Sequence, residues 1–184
     1  MHSPNPWQTL DKKIAYRDDN FEIHRDKVIQ PDGKPGWYTY LTGKVVVVVV
    51  ALNNRGQVAL VEQWRYVLRR RTLEVIAGTA DAGEKDPLKI ARRELKEEGG
   101  MTAKKWTELS TSYVAHAKSP WHYYLAENLT LGQPHPEGTE DITVRWLPLK
   151  DALARVDAGI ISNFGSTLGL LLADRWLRQR HGRV

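Results

Sequence analysis

Residues 78–101, GTADAGEKDPLKIARRELKEEGGM, constrain this chain more than any other stretch, because a glycine-bearing acidic loop there runs straight into a helix. Pro87 suits the first helical turn, where its missing N–H has no partner to lose. Asp86 stands where an N-cap belongs. Gly99-Gly100 ends the helix, since glycine adopts the left-handed conformation of a C-cap at little cost. Inside these limits Leu88, Ala91 and Leu95 recur at helical spacing and form a stripe for packing. Glu94, Glu97 and Glu98 make the other face. Residues four apart project from one side of a helix, so Glu94 and Glu98 aim at one point. Two carboxylates converging there repel unless a cation lies between them. Hard oxygen ligands favour Mg²⁺ or Mn²⁺ over zinc. Taken without its flanks, such a charged face also reads as a solvated helix surface.

The rest of the chain bounds what this helix can serve. At 184 residues it makes one main domain with a small N-terminal appendage. We draw the boundary between 1–42 and 43–184. With no cysteine there are no disulfides, thiolate zinc sites or cysteine nucleophiles, which fits a reducing, cytoplasmic setting. The opening MHSPNPWQTLDKK lacks the apolar core of a signal peptide. The longest apolar run, 45–52, is too short to span a bilayer, so no membrane is expected. The net charge of +5 suits any anionic substrate. It also invites a nucleic-acid reading, which charge alone does not decide.

Read in order, residues 1–12 are a loose arm. Residues 14–29 form extended segments interrupted by Asp18-Asp19-Asn20. Pro31-Asp32-Gly33 is a turn that Lys34-Pro35-Gly36 extends, and 37–40 is a short aromatic strand. This small β-subdomain is too thin to bury its own core, so it should pack on the main domain or on a second chain. The run 44–52, KVVVVVVAL, fits a strand buried on both faces. Asn53-Asn54-Arg55-Gly56 reads as a hairpin turn joining it to a partner strand at 57–66. Residues 72–77, TLEVIA, make a third strand that leads into Gly78. Further strands are expected at 106–114, 121–126 and 141–147, a short helix at 149–156 and a longer one at 166–180. The class is α/β, with a mixed sheet between helices.

Gly78, five residues, Glu84, and then Arg93-Glu94-Leu95-Lys96-Glu97-Glu98-Gly99-Gly100-Met101 resembles the Nudix box. In that box seven residues separate the first glutamate from the arginine. Here eight separate Glu84 from Arg93, and we place the extra residue, Lys85, in the loop before Pro87. The flanks VALVEQWRY, LEVIAG and GTEDITVRWLPL are similar to the ADP-ribose pyrophosphatase and nucleotide-sugar hydrolase branch. Residues 16–38 are similar to that branch's dimerising β-subdomain. The resemblance implies a Nudix α/β/α sandwich, a homodimer, two to three Mg²⁺ or Mn²⁺ ions per site, and hydrolysis of a nucleoside diphosphate sugar.

By position, the resemblance makes Glu94 and Glu98 metal ligands, together with the backbone carbonyl of Ala77. Arg93 orients the glutamates, and Glu97 is the remaining box carboxylate, a ligand or a support for ligands. Arg65 contacts the diphosphate. Thr79 is counted with the substrate-binding residues. Glu140 binds a further metal or helps deprotonate the attacking water, with Glu137 as the nearby alternative. Phe21, Trp37 and Tyr38 fall where family members stack on the base from the partner subunit; as plain residues they are also ordinary core or interface aromatics. His116 and His122 are given no metal role.

ADP-ribose, split to AMP and ribose 5-phosphate, is the leading substrate. The branch commonly has a proline some fifteen residues past the box, whereas here the segment reads Tyr113-Val114-Ala115 and the next proline is Pro120. That keeps GDP-mannose and other nucleotide sugars open. RNA 5′-pyrophosphohydrolysis, motivated by the basic charge, and a catalytically silent sensor, motivated by the inserted residue, are the remaining alternatives.

Overall fold

The computed structural model describes residues 4–133 and 141–182. The chain divides into two compact units. One holds Met1–Val45 and Ser112–Pro120, the other Val46–Thr111 and Trp121–Val184.

The first unit is an antiparallel sheet of β1 (Gln8–Asp11), β2 (Ile14–Arg17), β3 (Phe21–Ile29) and β4 (Pro35–Gly43), in which β3 pairs with the other three. The Asp18 carboxylate turns the chain between β2 and β3 by accepting the N–H groups of Asn20 and Phe21, at 2.8 and 2.9 Å. Two expectations need correction. Residues 8–11 are a paired strand rather than loose arm. The aromatic strand is also longer than 37–40, because Pro35 begins β4 at a position where a strand tolerates proline. The excursion Ser112–Pro120 is tied to β4 through its backbone. Leu41 N–H donates to the His116 carbonyl (2.9 Å), Lys118 N–H to the Leu41 carbonyl (2.6 Å) and Gly43 N–H to Ser119 Oγ (2.8 Å).

The second unit runs β5 (Val46–Ala51), β6 (Gln57–Arg65), β7 (Arg70–Glu74), β8 (Ile76–Thr79), α1 (Pro87–Glu97), β9 (Met101–Tyr113), β10 (Pro120–Leu131), β11 (Ile142–Pro148), α2 (Leu149–Asp157) and α3 (Phe164–His181). One sheet is ordered β8-β5-β10-β9, with β5 parallel to β10 and antiparallel to β8. The other, β11-β6-β7, is antiparallel throughout. The valine run is the hinge of this arrangement. Alternation sends Val48, Val50 and Leu52 into a core with Leu170 and Ala173 of α3. Val47 and Val49, also fully buried, point to the opposite face of the strand, where α1 packs. A strand covered on both faces has no use for polar residues, and this one has none. The result is the expected mixed sheet with helices.

Two expectations about connections were wrong. Residues 53–56 do not close a hairpin, since β5 and β6 lie in different sheets and meet only at the isolated bridge Leu52↔Val58. The turn is a corner, held by Asn53 Oδ1, which accepts the N–H groups of Arg55 and Gln57. TLEVIA is likewise two strands, and the chain changes sheets at Val75, whose N–H donates to Ser166 Oγ at 3.1 Å. None of the described helices is long and apolar enough to cross a membrane.

Candidate active site

Helix α1 begins where its sequence says it should. Asp86 is extended, and its side chain accepts the N–H groups of Leu88 (3.0 Å) and Lys89 (3.4 Å). Gly100, with φ at +61°, takes the left-handed conformation that ends the helix. The buried face differs from the expected stripe. It consists of Ile90, Ala91, Glu94 and Leu95, with Leu88 only half-buried. The two glutamates meant for a separate face therefore sit on the packed side. Glu94 is 8% exposed and Glu98 4%.

Burying a carboxylate is costly unless its oxygens are engaged. Glu98 Oε2 accepts the N–H of Ala77, at 3.1 Å, from the adjoining strand β8. Glu94 lies against Gly78 so closely that a Cβ on that glycine would fall 2.0 Å from both Cδ and Oε1 of the glutamate. Any side chain at this position of β8 would therefore displace the Glu94 carboxylate.

Arg93 gathers the remaining acids. Its Nη1 reaches Glu97 (2.8 Å) and Glu94 (2.9 Å), and its Nη2 reaches Glu84 (3.0 Å) and the Thr79 carbonyl (2.8 Å). The extra residue between Glu84 and Arg93 therefore does not prevent their contact. Glu84 also accepts the N–H of Asp81, closing the loop on itself. The bond from Arg93, followed by that of the Asp81 N–H, holds the Glu84 carboxyl below its ordinary range. Burial works against the charge on Arg93, but its bonds to Glu84 and Glu97 outweigh burial and raise its pKa.

The NUDIX domain family model matches residues 42–166. The chain belongs to the Nudix family. It is 32% identical over 155 residues to an ADP-ribose pyrophosphatase of Bacillus subtilis (strain 168), spanning 82% of this chain and 83% of the relative. It is also 32% identical over 174 residues to an ADP-ribose pyrophosphatase of Mycobacterium tuberculosis (strain ATCC 25618 / H37Rv), spanning 90% of this chain and 82% of that one. Its fold matches a solved structure described as an ADP compounds hydrolase, with a TM-score of 0.85 at 21% identity and full coverage of both chains. The protein thus stands in the ADP-ribose pyrophosphatase branch of the Nudix family and is a Nudix pyrophosphohydrolase.

Other expected site residues of this Nudix protein are placed as follows. Arg65, at the end of β6, makes a two-pronged ion pair with Glu74, through Nε (2.9 Å) and Nη2 (2.7 Å). Glu74 is 2% exposed and also accepts the Thr72 hydroxyl at 2.7 Å. Burial pushes the Glu74 carboxyl up, yet the bonds from Arg65 and Thr72 hold it below the ordinary range. Sequence reasoning missed Glu74. The available signal was an acid in the middle of the apolar strand TLEVIA, which demands a partner. Thr79 ends β8 and offers its carbonyl to Arg93.

Phe21, Trp37 and Tyr38 all belong to the first unit. Phe21 packs beside Tyr16. Trp37 is half exposed beneath the Arg25 guanidinium. Tyr38 meets the edge of Trp7 and lies near His116. Neighbouring residues on β4 point to opposite faces, so Trp37 and Tyr38 do not share one. Glu137 and Glu140 lie outside the described residues. Among the described residues, no three acidic or histidine side chains converge closely enough to hold a metal by themselves. What α1 and β8 do present is two buried carboxylates beside the backbone of Ala77 and Gly78, an oxygen-only donor set that suits a hard divalent cation.

Proposed function

We propose that this protein hydrolyses the diphosphate bond of nucleoside diphosphate sugars, with ADP-ribose as its main substrate and AMP and ribose 5-phosphate as products. The observation that carries this reading is the buried pair Glu94 and Glu98, seated against Gly78 and Ala77 and flanked by Arg93. The two ADP-ribose pyrophosphatases to which the chain is similar support the substrate.

Glu94, Glu98 and the Ala77 carbonyl would hold Mg²⁺ or Mn²⁺, with two to three ions at the full site. Such ions neutralise the diphosphate and acidify a bound water. The chain's own residues do the rest. Arg93 fixes the direction in which Glu94 and Glu97 point. Glu84 and Asp81 hold the loop after Gly78 in a single form. Arg65 meets the diphosphate while Glu74 keeps its guanidinium in plane. Glu140, or Glu137 beside it, accepts the proton of the attacking water. Water oxygen bonds to one phosphorus, the bridging P–O bond breaks, and the bridging oxygen leaves on the other phosphate. Phe21, Trp37 or Tyr38 stack on the base from a second subunit, which makes the active form a homodimer. We place the reaction in the cytoplasm, in keeping with a chain free of cysteine.

A broader range that includes GDP-mannose is the second reading. It is favoured by Tyr113-Val114-Ala115 where the branch commonly has its proline.

The test is nucleoside monophosphate release with Mg²⁺ from ADP-ribose, GDP-mannose, other nucleotide sugars and 5′-triphosphorylated RNA, comparing wild type with Glu98→Gln. We expect turnover of ADP-ribose, its abolition by EDTA and recovery with Mg²⁺, and a loss of several orders of magnitude in the variant. No product from any nucleotide sugar would refute the proposal. Turnover of RNA alone would move the protein to another substrate class.

A further inference from the structure

The antiparallel sheet β11-β6-β7 has two faces with different company. Register puts Arg65, Arg70, Thr72 and Glu74 on one face, and Glu62, Leu73, Arg71 and Arg145 on the other. The second face is roofed by α2 and the segment after it. Between sheet and roof lies a cleft of about 570 Å³. Its lining includes four arginines: Arg71 from β7, Arg145 from β11, Arg155 from α2, and Arg70, which belongs to the first face but lies on the edge strand β7. Only part of this charge is answered. Arg145 bonds Glu62 through Nε (3.1 Å) and Nη2 (3.0 Å), and Arg71 pairs with Asp141. Among the described residues, Arg70 has only the Ser162 hydroxyl, at 3.3 Å. Arg155 makes no side-chain hydrogen bond or ion pair with any of the described residues. Among the described residues, four guanidinium groups against two carboxylates leave a positive surplus in a concave, partly apolar site, where solvent screens charge less than on an open surface.

We propose that this cleft is a second ligand site, separate from α1, that takes a phosphate-bearing small molecule of nucleotide size. The guanidinium fork matches phosphate oxygens in pairs, which an ammonium does not, and the basic residues lining the cleft are all arginine. The volume is several times that of a lone phosphate and falls in the range of small-molecule pockets. Leu73, Leu147 and the exposed Ile160 supply an apolar wall for a sugar or base. A surface that tracked RNA would present its charges along an open stripe rather than around a cleft.

AMP, ribose 5-phosphate and inorganic phosphate would be titrated calorimetrically into the full-length protein in EDTA, so that no divalent ion bridges ligand to Glu94 and Glu98. The wild type would be compared with Arg155→Glu, Ile160→Ser and Glu98→Gln. Both cleft substitutions are at exposed positions, and thermal melting would verify folding. We expect AMP to bind more tightly than either smaller probe. Arg155→Glu should weaken it at least about tenfold, the worth of one charged contact. Ile160→Ser should weaken AMP while leaving phosphate unchanged, and Glu98→Gln should have no effect. The proposal fails if AMP does not bind at millimolar concentration, or if Glu98→Gln abolishes binding that Arg155→Glu spares. It also fails if phosphate binds as tightly as AMP. A single-stranded RNA oligonucleotide that binds more tightly than AMP, with a steep salt dependence, would instead make the patch a nucleic-acid surface.

Discussion

Gly78 and Arg93 carry the same requirement from opposite sides of Glu94. The glycine leaves room for the carboxylate and the arginine aims it. Gly78→Ala would put a methyl group inside the Glu94 carboxylate, so the carboxylate must leave its place or the strand and helix must part. We expect a stability loss of about 1–3 kcal/mol by thermal unfolding. A displacement of order 1 Å at the site should lower kcat at least about a hundredfold. Wild-type kinetics in this variant would mean that the Glu94 carboxylate does not need its place beside β8. Arg93→Lys tests the other side. A lysine is a single point charge and cannot serve Glu84, Glu97, Glu94 and the Thr79 carbonyl together. The expected cost is about 2 kcal/mol of stability. Mistuned support of the proposed ligands should also lower activity by about ten- to a hundredfold. An active, stable lysine variant would show that charge alone, without the guanidinium fork, organises the loop.

At the level of elements, α1 is legible in the sequence because each of its signals is local: the Asp86 cap, Pro87 at the start, and glycine at the end. Asp86→Ala should cost about 1 kcal/mol in urea unfolding, with kcat unchanged, since the carboxylate touches only its own helix. A matching loss of kcat would implicate the cap in the chemistry. The valine run was equally plain, because uninterrupted β-branched residues tolerate only a doubly covered strand. Its partners were not. A polar turn with a glycine serves a hairpin or a sheet-to-sheet corner equally well, and β5 pairs with strands distant in sequence rather than with β6. The break at Val75 was hidden for the same reason, because apolar residues continue across it while a hydrogen bond to α3 sets it. Ile90 was overlooked because one helical stripe was judged by Leu88. Placing Glu94 and Glu98 on a polar face of their own ignored how a site ligand can share the packed side.

Across the described residues, three glutamates are held below their ordinary range by engaged partners: Glu74, Glu84 and Glu127. For Glu127 burial opposes ionisation, but the bonds from Lys105 and Arg180 prevail. A depressed folded-state pKa means that the unfolded chain binds the proton more readily. Each group therefore contributes stability above the ordinary glutamate value of about 4.3 and loses it as the pH falls through the folded value. The melting temperature should be flat from neutrality to about pH 5 and fall below that. Arg65→Gln should shallow the acid limb by removing the principal partner of Glu74. A melting temperature that rises between pH 5 and pH 3 would contradict this assignment of sign.

The division of the chain carries a consequence for descent. It passes between its two compact units at 45/46, 111/112 and 120/121, because Ser112–Pro120 leaves the strands of the second unit and is hydrogen-bonded to β4 of the first. One cut cannot part them. A deletion of residues 1–45 would strand nine residues of the lost unit on the survivor, with the His116 carbonyl, the Lys118 N–H and the Ser119 hydroxyl left without their partners on β4. Recombination that swapped only the N-terminal segment would need a newcomer whose strand accepts that same loop. The two units are expected to be inherited together, and a change in the sequence of β4 should be answered by a change within 112–120.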